Sequence, residues 1–461
     1  MIYSQLFDKL APGKVVSAAV IGTGHFATAT IAQAESMRRL RIDAVADLKV
    51  EAAQAAWRKA GVPDEAVAVC ESRAEALAAL EKGRRVIVRD SALLLDLPLQ
   101  VIVEATGVPE AGARHGRDAI AHGKHVIMAN KETDCAVGPM LNKLARRAGL
   151  VYSQADGDQH GLLIQMVEWA RELGLEIVCA GKARDSKFMH EPARDRVSCG
   201  RHEVLLSERD RAWLRPIPPG RAAEFVEARR RLLQGLPQLA GYDVSELVIA
   251  ANSTGLPMAD AALACPILHT AELPGVLLER AHGGILARGG VIEAVTSLHY
   301  PEEAHLGGGV FMVVRGATAY ARHILATKGC LSSENGEFSL IYRPYHLCGV
   351  ETPISILCAG LLGISTGVRE TFRPRYDMAA RARRPLRPGE EFPNDHSPDL
   401  QALALPARPL AEDHPVPFHL ALGCRFRTEI PEGALITLDM IQPPAESVLW
   451  DLRREQDQCF A

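Results

Sequence analysis

Asn130, Lys131, Glu132 and Asp134 crowd the end of the apolar run HVIM, placing an amide, an ammonium and two carboxylates within five residues. Reducing a carbonyl calls for a proton donor at oxygen as hydride reaches carbon, and the reverse reaction calls for a base. A lysine made less basic by burial serves both ends. Lys131 is one candidate, and Lys182, in CAGKA, is the other. Asp158, in QADGDQHG, and Glu132 are placed to hold a substrate hydroxyl or to tune a lysine. Each has a plainer reading: a lysine at a strand end is usually a solvated charge, and DGD is an ordinary turn. In YRPYHLCGVETP, Arg343 has the planar fork that suits a carboxylate or phosphate, and His346 has acid–base capacity or the role of a hydrogen-bonded core histidine. Arg184 and Lys187, in the charged stretch after Lys182, are further candidate anion holders. No helical His/Glu spacing marks a metal site, so a divalent metal is compatible with the chain but not indicated.

These residues gain meaning from the elements that position them. AVIGTGHFA places Gly22, Thr23, Gly24, His25, Phe26 and Ala27 between a strand and a helix. Gly22 permits a tight turn, Gly24 lets backbone approach a pyrophosphate, and small Ala27 allows close helix–strand packing. The helix start offers free N–H groups to phosphate. Asp47, ending the next strand in VADL, is spaced for a ribose contact; it favours NAD, while nearby Lys49 keeps NADP open. Ligands of open α/β sheets sit at the carboxyl ends of strands. Ala105, Thr106 and Gly107 after VIVE, and Asn130 after HVIM, are therefore expected to border the cofactor.

Strand-like and helix-like segments alternate over the first 155 residues, the pattern of a doubly wound parallel sheet. Residues 12–155 read as a Rossmann-type domain, 156–375 as an α+β domain for substrate and catalysis, and 376–450 as a small β-rich unit with paired Pro–Gly turns. Within the second, residues 184–220 lack apolar periodicity and read as a functional loop or insertion. A composition of 48% hydrophobic and 23% charged residues is that of a globular protein, and a net charge of −4 gives no basis for nucleic-acid binding. The run ISILCAGLLGI is too short for a bilayer, ten scattered cysteines fit reduced thiols, and no signal peptide is visible, so a cytoplasmic location is expected.

The motifs IGTGHFA, ADL, VIVEATGVPEAG, VIMANKETD, DGDQ, AGK, ANSTGL and YRPYHLCGVE resemble the homoserine dehydrogenase-like oxidoreductases that carry a C-terminal SAF domain, over nearly the whole chain. Within that group the chain is similar to the deoxyxylulose-phosphate reductoisomerase-like branch, which makes methylerythritol phosphate for isoprenoids with NADPH. The resemblance implies a Rossmann domain, a catalytic and dimer-forming domain and a SAF-like appendage. It implies that Lys131 lies at the nicotinamide and substrate, as in homoserine dehydrogenases. From the reductoisomerase-like branch it implies substrate-side roles for Lys182 and the Arg343–His346 region. The segment after Lys182 departs from that branch, so a rebuilt substrate loop is expected. The function expected is an NAD- or NADP-dependent oxidoreductase acting on a small polar hydroxy or keto compound, such as a sugar phosphate or hydroxy acid, in a homodimer. Deoxyxylulose-phosphate reductoisomerase activity is one alternative, and a non-catalytic nucleotide-binding sensor or scaffold is another.

Overall fold

The computed structural model describes residues 2–460. Seven strands form the N-terminal sheet: β1 (Val16–Ile21), β2 (Leu40–Ala46), β3 (Val67–Cys70), β4 (Arg85–Val88), β5 (Val101–Glu104), β6 (His125–Met128) and β7 (Tyr152–Gln154). Their order is β3-β4-β2-β1-β5-β6-β7, and every pairing is parallel. Val101, Ile102, Val103 and Val126, Ile127, Met128 are buried along their whole runs, because helices cover both faces. Each such Val or Ile contributes roughly 1.5–3 kcal/mol. The strand order reverses at β1, with β2 on one side and β5 on the other. Their carboxyl tips open the crevice where such sheets take ligands.

The second sheet has β8 (Glu176–Ala183), β9 (Phe188–Glu191), β10 (Arg196–Cys199), β11 (His202–Leu205), β12 (Ile267–Leu268), β13 (Val291–His299), β14 (Val310–Arg315) and β15 (Phe338–Arg343). The order is β11-β10-β9-β13-β8-β14-β15, with β12 beside β13. It is mixed: β13 runs parallel to β8, and β14 antiparallel. Helices Gln159–Glu172 and Asp243–Thr254 pack on one face over Ala180, Ile292 and Met312. Cys179, Val291 and Phe311 face the opposite way, against Leu273 and Leu277.

The expected loop at 184–220 is corrected here. About half of it is a meander, β9 to β11, that extends the sheet and closes a small core of Phe188, Val197, Leu214 and Leu233. These strands of four residues bury at most one apolar side chain each, too few to produce a readable period.

Beyond Tyr376 the chain forms two small antiparallel pairs, β16 (Tyr376–Ala382) with β17 (Leu400–Pro406) and β18 (Arg425–Phe426) with β19 (Ile441–Gln442). The last helix, Val448–Phe460, runs past residue 450 and packs back on helices Pro109–Ala121 and Lys131–Arg147. Arg453 ties it down through a two-toothed buried pair with Asp377, at 2.7 and 2.9 Å. Among the described residues no helix is long and apolar enough to cross a membrane. All ten cysteines are free.

Candidate active site

Gly22 leaves β1 with φ +84°, and a Cβ there would lie 2.9 Å from the Ala105 carbonyl oxygen. Only glycine meets both demands, so the tips of β1 and β5 close up. Asp47, at the tip of β2, accepts hydrogen bonds from Thr23 N at 2.8 Å and Thr23 Oγ1 at 2.5 Å, and from Lys49 N at 2.9 Å. Its carboxylate thus fixes the turn from below. Helix His25–Ala34 starts at Gly24 with no side-chain cap, which leaves its first N–H groups to an anion. Phe26 and buried Ala27 set its first turn, with the Phe26 carbonyl accepting from Thr30 Oγ1 at 3.2 Å.

A cleft of roughly 640 Å³ opens over these groups. Thr23, Gly24, Asp47, Ala105 and Thr106 line it, joined by Lys49, Arg89 and Ser91. A phosphate cradle, a ribose-side carboxylate and nearby cations fit a nicotinamide nucleotide. Gly107 lies at an adjoining cavity. Asn130 is different: it is fully buried, accepts from Thr133 N at 3.1 Å and donates to Thr106 Oγ1 and the Val108 carbonyl at 3.2 and 3.0 Å. Its side chain shapes the β5 tip.

Lys131 opens helix Lys131–Arg147, and Lys182 lies near the end of β8. Both reach one carboxylate, Glu246, on helix Asp243–Thr254. Lys131 Nζ donates to Glu246 Oε1 at 2.8 Å and Lys182 Nζ to Oε2. Lys182 Nζ also lies 2.6 Å from Asp243 Oδ1, and Arg184 Nε 3.6 Å from Asp243 Oδ2. Lys131, Glu246, Lys182, Asp243 and Arg184 therefore form a row of alternating charge. Lys182 is 1% exposed, whereas the Lys131 side chain is 20% exposed, with its ammonium 4.7 Å above the Tyr242 ring.

The expectation of a lysine made less basic by burial is overturned. Burial pushes the Lys131 ammonium down, but Glu246 and Asp158 outweigh it and hold the group above the usual lysine range. Burial is likewise outweighed at Lys182, by Glu246 and Asp243. Glu246 is the reverse: burial opposes its ionisation, yet the two lysines hold it well below the usual carboxylate range. Asp243 is raised by burial despite Lys182. The partners differ because Glu246 is shared by two ammoniums, whereas Asp243 touches one. A lysine held charged is a proton donor at neutral pH, not a base.

Asp158 caps helix Gln159–Glu172, accepting from Gln159 N at 2.8 Å, and its charge reaches Lys131. Burial raises the Glu132 carboxyl, with His419 and Lys131 opposing. The loop carrying Arg343 and His346 presses on the nucleotide turn: Gly349 sits so near the Phe26 carbonyl that any side chain would collide with it. Arg343 is already paired with Glu351 at 2.7 Å and lies 4.7 Å from the Tyr345 ring centre. His346 Nδ1 is 2.6 Å from the Gly308 carbonyl oxygen. Arg184 is corrected as an anion holder. At 4% exposure it turns inward behind β13, donating to the Pro237 carbonyl at 3.0 Å and Thr296 Oγ1 at 3.1 Å. Lys187 is exposed, with Nζ 2.6 Å from His305 Nε2. Among the described residues no group of three or more His, Cys, Asp or Glu could hold a metal ion.

Sequence reasoning missed Tyr242, Asp243 and Glu246. Their signal was present: in DVSELVIAANST, two carboxylates three residues apart share one face of a helix that is otherwise mostly apolar and buried throughout.

Two family models match. Residues 22–153 match the homoserine dehydrogenase NAD-binding domain, and residues 240–352 match the catalytic domain of oxidoreductase DRL. The two matched domains are those of an NAD(P)-dependent oxidoreductase. No curated protein sequence matches it. Among solved structures, one described as a probable dehydrogenase from Thermotoga maritima shares 11% identity, with 77% of this chain and 91% of that chain covered and a TM-score of 0.40. The myo-inositol dehydrogenase of Lactobacillus casei, solved with NAD(H) and myo-inositol, shares 18% over 37% of this chain and 46% of that chain, TM-score 0.27. An Agrobacterium radiobacter oxidoreductase, solved with NAD+, L-tartaric acid and magnesium, shares 15% over 47% and 54%, TM-score 0.28. The chain spans about half the length of these last two structures. The two matched segments lie on the two large sheets, and Glu246 falls inside the second.

Proposed function

We propose that this oxidoreductase interconverts a hydroxyl and a carbonyl on a small polar substrate carrying an anionic group, a sugar phosphate or a hydroxy acid. The observation that carries the reading is the partly exposed Lys131 ammonium, held charged by buried Glu246 next to the tips of β5 and β6. A nicotinamide nucleotide bound at the Gly22 turn supplies or accepts hydride at its ring. Lys131 donates the proton that neutralises the substrate oxygen during reduction. Glu246 aims it, and Lys182 with Asp243 holds Glu246 in place. Tyr242 supports the ammonium with its ring face. Asp158 and Glu132 are the carboxylates left to orient a substrate hydroxyl, while Lys187 and His346 stand at the rim for its anion.

NADP(H) is the preferred nucleotide in this reading. Asp47 is engaged by Thr23 and the Lys49 amide, and Lys49, Arg89 and Ser91 line the same cleft, where a 2′-phosphate finds two cations and a hydroxyl. The match at 240–352 supports testing deoxyxylulose phosphate first. The experiment is a panel of sugar phosphates, homoserine and sugar acids with NADPH and NADP+, on the native chain and Lys131→Met. Hydride transfer with one panel member is expected, with a loss of about 10²–10⁴-fold in the variant and unchanged nucleotide affinity. Tight nucleotide binding without turnover across the panel would replace this reading with the sensor alternative.

A further inference from the structure

Glu104 ends β5 with its carboxylate fully buried, where Val and Ile fill the rest of the strand. A buried carboxylate costs stability unless it is hydrogen-bonded, so an apolar residue would serve packing better. Its Oε1 accepts from Thr106 Oγ1 at 2.6 Å and lies 3.2 Å from His115 Nδ1. The Thr106 hydroxyl in turn accepts from Asn130 Nδ2 at 3.2 Å and from Val108 N at 3.3 Å, so its own proton is the one given to Glu104. A carboxylate oxygen accepts and does not donate. Nδ1 therefore carries the proton, and in the neutral ring Nε2 keeps a free lone pair. His115 stands on helix Pro109–Ala121 with its side chain 16% exposed, and it borders the cleft of roughly 640 Å³ over the Gly22 turn.

We propose that His115 reads the adenine of the bound nucleotide, its Nε2 accepting the amino N–H of the base, and that Glu104 is the positioning residue that fixes this tautomer. The proposal rests on the reading of the cleft as the nicotinamide-nucleotide site. The lining groups divide along such a molecule. With the pyrophosphate at the Gly22–Gly24 turn and the nicotinamide half directed toward β6 and Lys131, the adenosine half takes the side of β2 and β4. Asp47 serves the ribose there, and Lys49, Arg89 and Ser91 serve a 2′-phosphate. Leu48, Ala52, Val108 and Ala111 supply apolar walls for a flat ring. Adenine also has a polar edge, and a polar group taken out of water needs a partner. Thr106 is engaged by Glu104, Asn130 and Val108, which leaves His115 as the lining side chain with an acceptor to offer.

Hypoxanthine replaces the amino group of adenine with a carbonyl oxygen, which would set an acceptor against an acceptor. The test titrates the full chain with NADPH and NADH, each beside its hypoxanthine analogue, by nicotinamide fluorescence at pH 8, where an ordinary imidazole is neutral. The adenine nucleotide is expected to bind about tenfold more tightly than its analogue. His115→Asn keeps a donor near the Nδ1 position for Glu104 but lacks Nε2, so adenine and hypoxanthine forms should then bind alike within about twofold. Glu104→Leu keeps bulk and frees the tautomer, and the preference should fall severalfold; an unchanged preference there overturns the positioning role. Equal or reversed affinities in the native chain overturn the whole assignment, as does a tenfold preference that survives in folded His115→Asn. No binding of any of these nucleotides overturns the nucleotide site and this proposal together. Tenfold discrimination without turnover of any panel substrate supports the His115 assignment and sinks the proposed function alone.

Discussion

Replacing Glu246 with Gln removes one negative charge from an enclosed row while nearly preserving shape. Three cationic groups, Lys131, Lys182 and Arg184, face two carboxylates in the native chain; in the variant they face only Asp243. Removing one partner of a buried ion pair costs about 3–5 kcal/mol. Lys131 is exposed enough to turn toward water and Lys182 keeps Asp243, so the low end applies, about 3 kcal/mol. At roughly 2–4 °C per kcal/mol, Tm falls by roughly 6–12 °C at neutral pH. The native-state carboxyl of Glu246 is depressed, so its contribution is present above the ordinary glutamate range and is lost as pH falls through the native-state value. The two lysines are raised, so theirs is present below the ordinary lysine range and is lost as pH rises beyond it. The Tm gap between native and variant chains is therefore flat from about pH 5 to about pH 9 and shrinks in strong acid. Lys131 also loses its 2.8 Å anchor, and kcat falls roughly a hundredfold. Thermal unfolding followed by circular dichroism across that range, with kcat beside it, makes the test. A variant with unchanged Tm and turnover would refute the shared-carboxylate account.

Gly22→Ala forces a side chain into a left-handed position against the Ala105 carbonyl, so NADPH affinity falls by roughly a hundredfold or more; a fluorescence titration matching the native chain would contradict this. Arg89→Ala is expected to weaken NADPH roughly tenfold and leave NADH nearly unchanged, and equal losses for both would remove its 2′-phosphate role. Burial pushes the Asp156 carboxyl up to about 7, with Thr366, Ser355 and Gln165 only partly offsetting it. A raised carboxyl stabilises below its ordinary range and loses that contribution as pH rises through about 7. Asp156→Asn should therefore shift Tm least near pH 4 and raise it by several degrees near pH 8; an equal shift at both pH values would contradict the sign.

The nucleotide turn was legible because each of its needs selects a residue type. Gly22, Gly24 and Ala27 answer local backbone demands, and Asp47 follows at a fixed topological distance. The doubly wound sheet was legible for a similar reason, since runs such as VIVE and HVIM are apolar at every position only when both faces are covered. The lysine row was half legible. Lys131 and Lys182 stand at strand ends where chemistry is expected, but Glu246 is 115 residues from Lys131 and 64 from Lys182, and no local pattern pairs residues over such distances. The same blindness gave the lysines the wrong direction of basicity: burial is readable from apolar flanks, whereas a carboxylate brought in by tertiary packing is not. Arg184 looked like a free cation because its acceptors, the Pro237 carbonyl and Thr296, arrive from other elements.

A crystal structure of the native chain with NADPH tests the central claim most directly. The pyrophosphate is expected over Gly22–Gly24, with the nicotinamide ring at the tips of β5 and β6 and one ring face open toward the Lys131 ammonium. An ordered nucleotide bound elsewhere, or one whose nicotinamide points away from Lys131 with the Glu246 row unchanged, would contradict it.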